Sequence, residues 1–465
     1  MRRACVAVAL CVAALVCAGA SAASRATTTA TQELTITASD GTKLACGLVL
    51  PTGSPPSGGW PGLLLFHGLG QTHASMETIA NAAFAPTGFA SLACDARGTG
   101  ASGGTFGLDG PKEVQDARDL FNWLASRSDV SDTEIGALGL SLGGGEVWNA
   151  AAAGVPFKAI VPAITWTDLT LALAPAGVPK GGLVSQLQQL IPGQWDPALA
   201  QARDDLSTGS VTQAARTALA ARSSRAKLHS LTVPTLLLQG RHDFLFDIDQ
   251  ALAAYRLLAG PKRLYLGDLG HPPATNPPAE QLTYLGEVVG WFEEYLAGGP
   301  KVSGGIKLAH DPWDGSTSSL KTLPGTRHLS VNLPGTKKLG SKGSTRRTAR
   351  LTGGPLETFG DGYLTVRYSG QHLYGTLIAT VAVKGQSTPV TVGAAPVTKL
   401  AGVVRIPLSN QAVLLPRGKR VVVTIGRQSA DGVYVLPGLA GPLAEQITIQ
   451  RITLTLSLLT RAVSR

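Results

Sequence analysis

The chain has 465 residues, of which 44% are hydrophobic and 15% are charged. This composition excludes a disordered chain, and the length exceeds that of one average domain. The charge is unevenly distributed. Residues 301–465 carry 21 Lys and Arg against 6 Asp and Glu, whereas residues 1–300 carry the remaining 19 Lys and Arg and 24 Asp and Glu. The asymmetry indicates two domains. The basic one has either a merely solvated surface or a weak contact with an anionic cell envelope, and no nucleic-acid partner is expected.

The N-terminus has the pattern of a secretory signal. Two arginines after Met1 precede an apolar run over residues 4–18, and the small residues Ala20-Ser21-Ala22 follow. The run is short for a membrane span, which needs about 20 apolar residues. We therefore expect residues 1–22 to be a signal peptide cleaved near Ala22, and the mature protein to be secreted.

Two cysteines, Cys46 and Cys94, remain after the predicted signal, and both lie in predicted strands. They are either two buried thiols or, in an exported protein, a disulfide. No Cys/His spacing typical of a zinc site is present, so the sequence predicts neither a metal nor a cofactor.

Between residues 33 and 298, short apolar runs alternate with segments of helical periodicity. Such alternation predicts a mainly parallel sheet with helical crossovers, an α/β fold. The stretch from 167 to 229 interrupts it, because it is rich in Ala, Leu and Gln, is helical in pattern and is broken by prolines. We expect a first core part at 33–166, a helical cap at 167–229 and a second core part at 230–298. Beyond Gly298-Gly299-Pro300 the runs become β-type, which predicts an all-β, jelly-roll-like sandwich at 302–465.

The chemistry is predicted to centre on Gly139-Leu140-Ser141-Leu142-Gly143, which follows an apolar run and precedes a helical segment. Gly-x-Ser-x-Gly between a strand and a helix is the pattern of a nucleophile elbow. The turn needs glycines because the serine is held in a strained conformation and neighbouring Cβ atoms would clash. Ser141 is therefore the candidate nucleophile.

Acyl transfer by serine also needs a base, a carboxylate that orients the base, and donors for the oxyanion. Asp243 and His271 each follow a later apolar run, in the order Ser, Asp, His. The competitors of Asp243 are His242, Asp247, Asp249 and Asp268; Asp243 is preferred because it comes directly after its strand.

The oxyanion donors are predicted to be the backbone N–H groups of Leu142, next to the nucleophile, and of Leu69, in the loop after the strand that ends at Phe66. His67 is expected to pack beneath that loop, and His73 either lines the pocket or faces solvent. Asp95 and Arg97 are expected to form a structural ion pair.

These motifs resemble those of the cocaine-esterase-like and X-prolyl dipeptidyl-peptidase group of serine hydrolases. The resemblance rests on residues 95–102 (Asp-Ala-Arg-Gly-Thr-Gly-Ala-Ser), 139–143 and Gly270-His271, and on the order of core, helical cap and C-terminal β-sandwich. It implies an α/β-hydrolase that cleaves esters or N-terminal dipeptides through an acyl-enzyme. Members often have Tyr in the oxyanion loop, and the peptidases often have Tyr after the nucleophile; here the residues are Leu69 and Leu142.

The sequence therefore predicts a secreted serine hydrolase of carboxyl esters, acting on a small-molecule ester. The alternatives are an Xaa-Pro dipeptidyl-peptidase or amide acylase acting on a short peptide, and a non-catalytic protein that binds the envelope. The sequence does not indicate an oligomeric state.

Overall fold

A computed structural model describes residues 31–464 apart from 192, 303, 341–342, 354, 374, 430–431 and 436–445. The predicted signal peptide at 1–22 lies outside the described residues. The helices are α1 (His73–Ile79), α2 (Pro111–Ala125), α3 (Leu142–Ala152), α4 (Leu169–Leu173), α5 (Gly181–Leu190), α6 (Pro197–Ser207), α7 (Gln213–Ala220), α8 (Ile248–Leu257) and α9 (Pro278–Leu296). No helix in the described ranges is long and apolar enough to cross a membrane.

A ten-stranded sheet forms the core of the N-terminal part. Its strands are β1 (Thr31–Thr37), β2 (Lys43–Val49), β3 (Trp60–Phe66), β4 (Ala90–Cys94), β5 (Val130–Leu140), β6 (Ala159–Ala163), β7 (Thr235–Gly240), β8 (Lys262–Gly267), β9 (Gly305–Ala309) and β10 (Thr317–Leu320). They lie in the order β1-β2-β4-β3-β5-β6-β7-β8-β9-β10. The strands from β4 to β9 in this order are parallel, and the strands at both edges are antiparallel.

Both faces of this sheet are covered, which explains why its central strands are apolar at nearly every position. Alternate residues of one strand point to opposite faces. Leu64 of β3 packs with residues of α2, α3 and α8, whereas Leu63 and Leu65 pack with residues of α1 and α9.

A helical segment lies between β6 and β7, in the stretch where the sequence predicts a cap at residues 167–229. It consists of α4 to α7 together with short 3₁₀ turns at Pro175–Gly177 and Arg225–Ser230. Asp168, Asp196 and Thr212 cap the first turns of α4, α6 and α7, each accepting a backbone N–H with its side chain. The cap therefore lies in the chain between the strand after the Ser141 helix and the strand before Asp243.

The C-terminal part is all-β and antiparallel, as predicted. Its strands are β11 (Thr326–Leu333), β12 (Lys337–Leu339), β13 (Thr345–Arg350), β14 (Leu356–Glu357), β15 (Tyr363–Gly370), β16 (Gly375–Val383), β17 (Pro389–Val397), β18 (Ala401–Pro407), β19 (Leu414–Leu415), β20 (Arg420–Gly426) and β21 (Ile447–Leu459). They form sheets of five, four and two strands.

The predicted start of the sandwich at residue 302 needs correction. Strands β9 and β10 lie beyond it in the chain, but they extend the first sheet, with β9 parallel to β8. β9 is a short apolar run like those of the sandwich strands and β10 is mostly polar, so neither carries a local sign of the sheet to which it belongs.

Cys46 and Cys94 form a disulfide, one of the two alternatives left by the sequence. They are directly opposed in the antiparallel pair β2–β4. The bond closes a loop that contains β3 and α1, and it lies one residue before Asp95.

Candidate active site

Ser141 lies in the sharp turn between β5 and α3. Its backbone has φ 55° and ψ −110°, a sparsely populated conformation that is costly for a residue with a side chain. A Cβ atom at Gly139 would lie 1.9 Å from the carbonyl oxygen of Gly143, and one at Gly143 would lie 2.1 Å from that of Phe66. The two glycines of the motif are therefore required by the close approach of the backbone.

The structure brings the three residues of the predicted triad together. Ser141 Oγ lies 2.8 Å from His271 Nε2, and His271 Nδ1 lies 2.7 Å from Asp243 Oδ2. Asp243 and His271 follow the neighbouring parallel strands β7 and β8, so both residues emerge at the same edge of the sheet as Ser141. The result is a continuous hydrogen-bonded path from a hydroxyl through an imidazole to a carboxylate, the arrangement that activates a serine nucleophile.

Four hydrogen-bond donors converge on the fully buried carboxylate of Asp243. Oδ1 accepts the backbone N–H groups of Leu245 and Phe246, both at 2.9 Å. Oδ2 accepts the backbone N–H of His271 at 3.0 Å in addition to the ring Nδ1–H. Since an ionised carboxylate only accepts, this environment matches its charge and fixes its orientation.

The main competitors of Asp243 have partners of their own. His242 is hydrogen-bonded to Asp268 at 2.8 Å and to Asp311 at 3.2 Å. Burial opposes protonation of His242, but the hydrogen bonds to these two carboxylates outweigh it and raise its pKa to about 9. Asp247 caps α8 by accepting the N–H of Asp249 at 3.2 Å. Of these side chains, Asp243 is the one hydrogen-bonded to the His271 ring.

The predicted oxyanion donors belong to backbone that is held in place. Leu142 is the first residue of α3, where an N–H has no partner within the helix, and Leu69 lies in the turn after β3. In the part of the chain that the structure describes, neither N–H makes a hydrogen bond. Gly143 donates its N–H to the carbonyl of His67 at 3.0 Å, which links the two segments. The assignment of these donors stays a prediction.

His67 is buried and both of its ring nitrogens are hydrogen-bonded. Nε2 accepts the backbone N–H of Ala96 at 2.9 Å, so the proton is on Nδ1, which donates to the carbonyl of Gly68 at 2.8 Å. Burial lowers the pKa of His67, which keeps the ring neutral. The residue therefore supports the loop that precedes Leu69.

The expected ion pair between Asp95 and Arg97 is wrong. Arg97 instead binds Asp116 of α2 at 2.8 Å and Asp40 at 2.7 Å. Asp95 accepts the N–H of Ala101 at 2.7 Å and contacts the ring of His73, because the turn after β4 folds back over its carboxylate. His73 therefore faces carboxylates, which neither alternative for this residue anticipated.

An apolar pocket lies between the cap and the core. The residues that line it come from the Leu69 loop, the segment before α2 and cap helices α4 to α7: Leu69, Phe106, Leu108, Leu173, Val184, Leu187, Trp195, Leu199, Arg203, Leu206 and Leu219. Arg203 is the one charged residue in this described lining, and its guanidinium lies over the Trp195 ring, 4.9 Å from the centroid. A second apolar cavity is lined in part by Leu140 and Gly270, which directly precede Ser141 and His271 in the chain.

Several residues that support the site were missed by the sequence reasoning. Gln411 of the β-domain donates its side-chain amide to the carbonyl of Asp243 at 2.9 Å. Arg241, fully buried two residues before Asp243, forms an ion pair with the fully buried Glu357. Lys180 of the cap donates to the carbonyls of Phe244 at 2.7 Å and Leu245 at 3.1 Å. These contacts join positions far apart in the chain, so no local pattern could reveal them.

Two buried acids behind the nucleophile turn were also missed. Asp109 and Glu146 line a small cavity that Leu142 and His67 also border. Burial, followed by the charge of neighbouring carboxylates, raises the pKa of both groups well above the usual range. A Cβ atom at Gly145 would lie 2.4 Å from Asp109 Oδ2, so the glycine that follows the elbow makes room for this carboxyl group.

A family profile described as X-Pro dipeptidyl-peptidase (S15 family) matches residues 40–273, about half of the chain. Among curated proteins, an uncharacterized 31.7 kDa protein from the traX-finO intergenic region of Escherichia coli is 36% identical over 110 residues. That match covers 23% of this chain and 38% of the relative, so the chain spans less than two fifths of the relative's length.

Solved structures of similar fold cover nearly the whole chain. A CocE/NonD family hydrolase from Staphylococcus aureus has a TM-score of 0.69 at 14% identity and covers 93% of this chain and 94% of its own. An aminopeptidase from a marine sediment archaeon (Thaumarchaeota archaeon) has a TM-score of 0.72 at 13% identity, and the match covers 93% of this chain and 97% of the aminopeptidase chain. An alpha-amino acid ester hydrolase has a TM-score of 0.69 at 15% identity, and the match covers 94% of this chain and 98% of the hydrolase chain. At these identities the likeness shows the fold, and it confirms the predicted α/β-hydrolase core with a C-terminal all-β region.

Proposed function

Because the chain belongs to the X-Pro dipeptidyl-peptidase (S15) family of hydrolases, we propose that it is a secreted serine hydrolase of carboxyl esters. The observation that carries this proposal is the path from Ser141 Oγ through His271 to Asp243, with distances of 2.8 Å and 2.7 Å. A serine with a purely structural role does not require a hydrogen-bonded base and carboxylate, whereas a serine nucleophile does.

In the proposed mechanism, Ser141 Oγ attacks the ester carbonyl while His271 Nε2 takes its proton. The N–H groups of Leu142 and Leu69 stabilise the oxyanion of the tetrahedral intermediate. His271 then donates the proton to the leaving alkoxide, and an acyl-enzyme forms. In the second step, water attacks the acyl carbonyl while His271 takes a proton from it. His271 then returns this proton to Ser141 Oγ when the acid is released. Asp243 holds the His271 tautomer that has its proton on Nδ1 and stabilises the imidazolium.

The preference for esters rests on the apolar pocket under the cap. A peptidase that recognises a free N-terminus needs a carboxylate facing the substrate ammonium, because burying an unpaired charge is costly. The described lining of the cap pocket contains no carboxylate, and its one charged side chain, Arg203, is paired with Asp204 at 2.7 Å. We assign this pocket to an uncharged acyl or alcohol group.

Export is supported by two features. The first 22 residues have the pattern of a secretory signal, and the Cys46–Cys94 bond suits an oxidising compartment. Secretion and the cleavage site stay predictions, which N-terminal sequencing of the protein from culture medium would test.

One panel of substrates tests the activity. Nitrophenyl esters of increasing acyl length and an Xaa-Pro anilide are incubated with wild type, with Ser141→Ala and with the control Ser230→Ala, which changes an exposed serine. We expect ester turnover to fall on the order of 10³-fold or more in Ser141→Ala and to be unchanged in Ser230→Ala.

Other outcomes of the panel distinguish the alternatives. Turnover of the anilide that requires a free N-terminus would favour the dipeptidyl-peptidase. A protein without turnover that is retained on anionic envelope material would favour the binding protein. Full ester turnover by Ser141→Ala would refute the assigned nucleophile.

A further inference from the structure

A second cluster of chemically active side chains contains no residue that is used in the proposed reaction. Glu33 of β1 and His73 and Glu77 of α1 each offer one ligand atom, and the three atoms lie within 4.8 Å of one another. His73 Nε2 is 3.2 Å from Glu33 Oε2 and 3.6 Å from Glu77 Oε1. Ligands of a tetrahedral zinc ion at about 2.0 Å are about 3.3 Å apart, so these spacings suit one small ion.

The ring of His73 is oriented for such a role. Its Nδ1 is 2.8 Å from Asp95 Oδ1, and the same oxygen accepts the backbone N–H of His73 at 2.7 Å. With Nδ1 directed at this carboxylate, Nε2 faces the two glutamates, and it can ligate an ion there once it has lost its proton. A carboxylate behind a ligating imidazole is the usual arrangement that fixes tautomer and ring orientation in metal sites.

Glu77 supplies the independent indication of a ligand. The residue is 9% exposed, and its buried Oε1 has no hydrogen-bond partner in the described structure. The backbone makes room for this oxygen, because a Cβ atom at Gly47 of β2 would lie 1.5 Å from it. A buried carboxylate oxygen beside a second carboxylate calls for a positive charge.

We propose that Glu33, His73 and Glu77 bind a Zn²⁺ ion, with Asp95 as the hydrogen-bonded support of His73. One imidazole and two carboxylates leave the fourth position of the ion to water and match the donor preference of zinc better than that of calcium, which takes oxygen ligands. The ion would join β1 to α1, the helix after the Leu69 loop. The site is independent of the proposed esterase activity, and its test needs no turnover.

No local sequence pattern marks this site, for a physical reason. Zinc motifs are recognised by two or more Cys or His at short spacing. Here a single histidine is combined with carboxylates that come from the first strand and from one turn further along the helix. Only the pairing of β1 with β2, against which α1 packs, brings them together.

The test uses full-length mature protein that has been freed of metal by a chelator and dialysed. Isothermal titration with ZnCl₂ is expected to give one equivalent per chain in wild type and in the control Glu134→Gln, which alters a surface glutamate paired with Lys158. Glu33→Gln is expected to bind at least about tenfold more weakly. Glu33 is exposed, so this variant should fold, and circular dichroism checks that it does.

Two further measurements locate the ion. Zinc absorption spectra should show one imidazole and oxygen ligands without sulfur, and hydrogen exchange should slow in Thr31–Thr37 when zinc is added. The absence of saturable binding in wild type would overturn the proposal. Equal affinity in wild type and Glu33→Gln, or a coordination shell with two or more imidazoles, would overturn it as well.

Discussion

Replacing Asp243 by Asn tests the proposed triad most sharply, because the structure shows what an amide would meet. The carboxylate accepts two backbone N–H groups on Oδ1 and two donors from His271 on Oδ2. An Asn side chain has one acceptor oxygen and one NH₂ group. If the oxygen keeps the N–H groups of Leu245 and Phe246, the NH₂ group faces His271, whose Nδ1 must then accept.

The consequence is a change of tautomer. With its proton on Nε2, His271 can no longer accept the proton of Ser141 from a distance of 2.8 Å. Loss of the correct tautomer in a serine triad lowers kcat by about 10⁴-fold, which corresponds to about 5 kcal/mol of transition-state stabilisation. We expect a loss of this size in Asp243→Asn, with KM for the ester little changed.

The assay is kcat on a nitrophenyl ester, corrected for the folded fraction by circular dichroism. Asp249→Asn is the matched control, because Asp249 lies six residues later and pairs with Arg225 at 3.1 Å, outside the triad. The control should keep wild-type kcat. A folded Asp243→Asn enzyme with less than a tenfold loss of kcat would refute the role given to Asp243.

Three further outcomes are expected. Replacing Cys46 and Cys94 by Ala should lower the free energy of unfolding by about 4 kcal/mol, since the bond spans a sequence separation of 48, and equal denaturant midpoints would refute this. The pKa of His242 is about 9 in the folded protein, above the unfolded value of about 6.5. Protonated His242 therefore adds about 3 kcal/mol to the free energy of unfolding below pH 6.5, and this stabilisation is lost as the pH rises through 9. His242→Gln should remove this part of the pH dependence in urea unfolding, and unchanged curves would contradict it. Leu187→Trp should narrow the cap pocket and lower kcat/KM for esters of long acyl chains by about tenfold or more, while kcat/KM for the acetate ester stays unchanged. If kcat/KM depends on acyl-chain length as in wild type, the pocket is not the acyl site.

Much of the fold was accessible from the sequence because its signals are local. The apolar run that ends at Phe66 had to be a strand buried on both faces, and the segment containing Leu120 and Leu124 had to be a helix with one apolar side. Strands β9 and β10 were assigned to the wrong part, because a short strand segment carries no local signal of the strand with which it pairs. Arg97 was given the wrong partner for a similar reason: two residues that are neighbours in sequence can point in different directions after a turn.

The sequence by itself determined the Gly-x-Ser-x-Gly turn and the order of Ser141, Asp243 and His271 after their strands, since both depend on local chain geometry and on the direction of parallel strands. Only the tertiary structure decided which oxygen of Asp243 accepts the His271 ring and how Gln411 and Glu357 of the β-domain support the Asp243 loop. It also decided that His73 faces Glu33 and Glu77. These contacts join residues that are distant in the chain. They arise from packing between elements, where a position one residue away on a strand or helix faces a different neighbour.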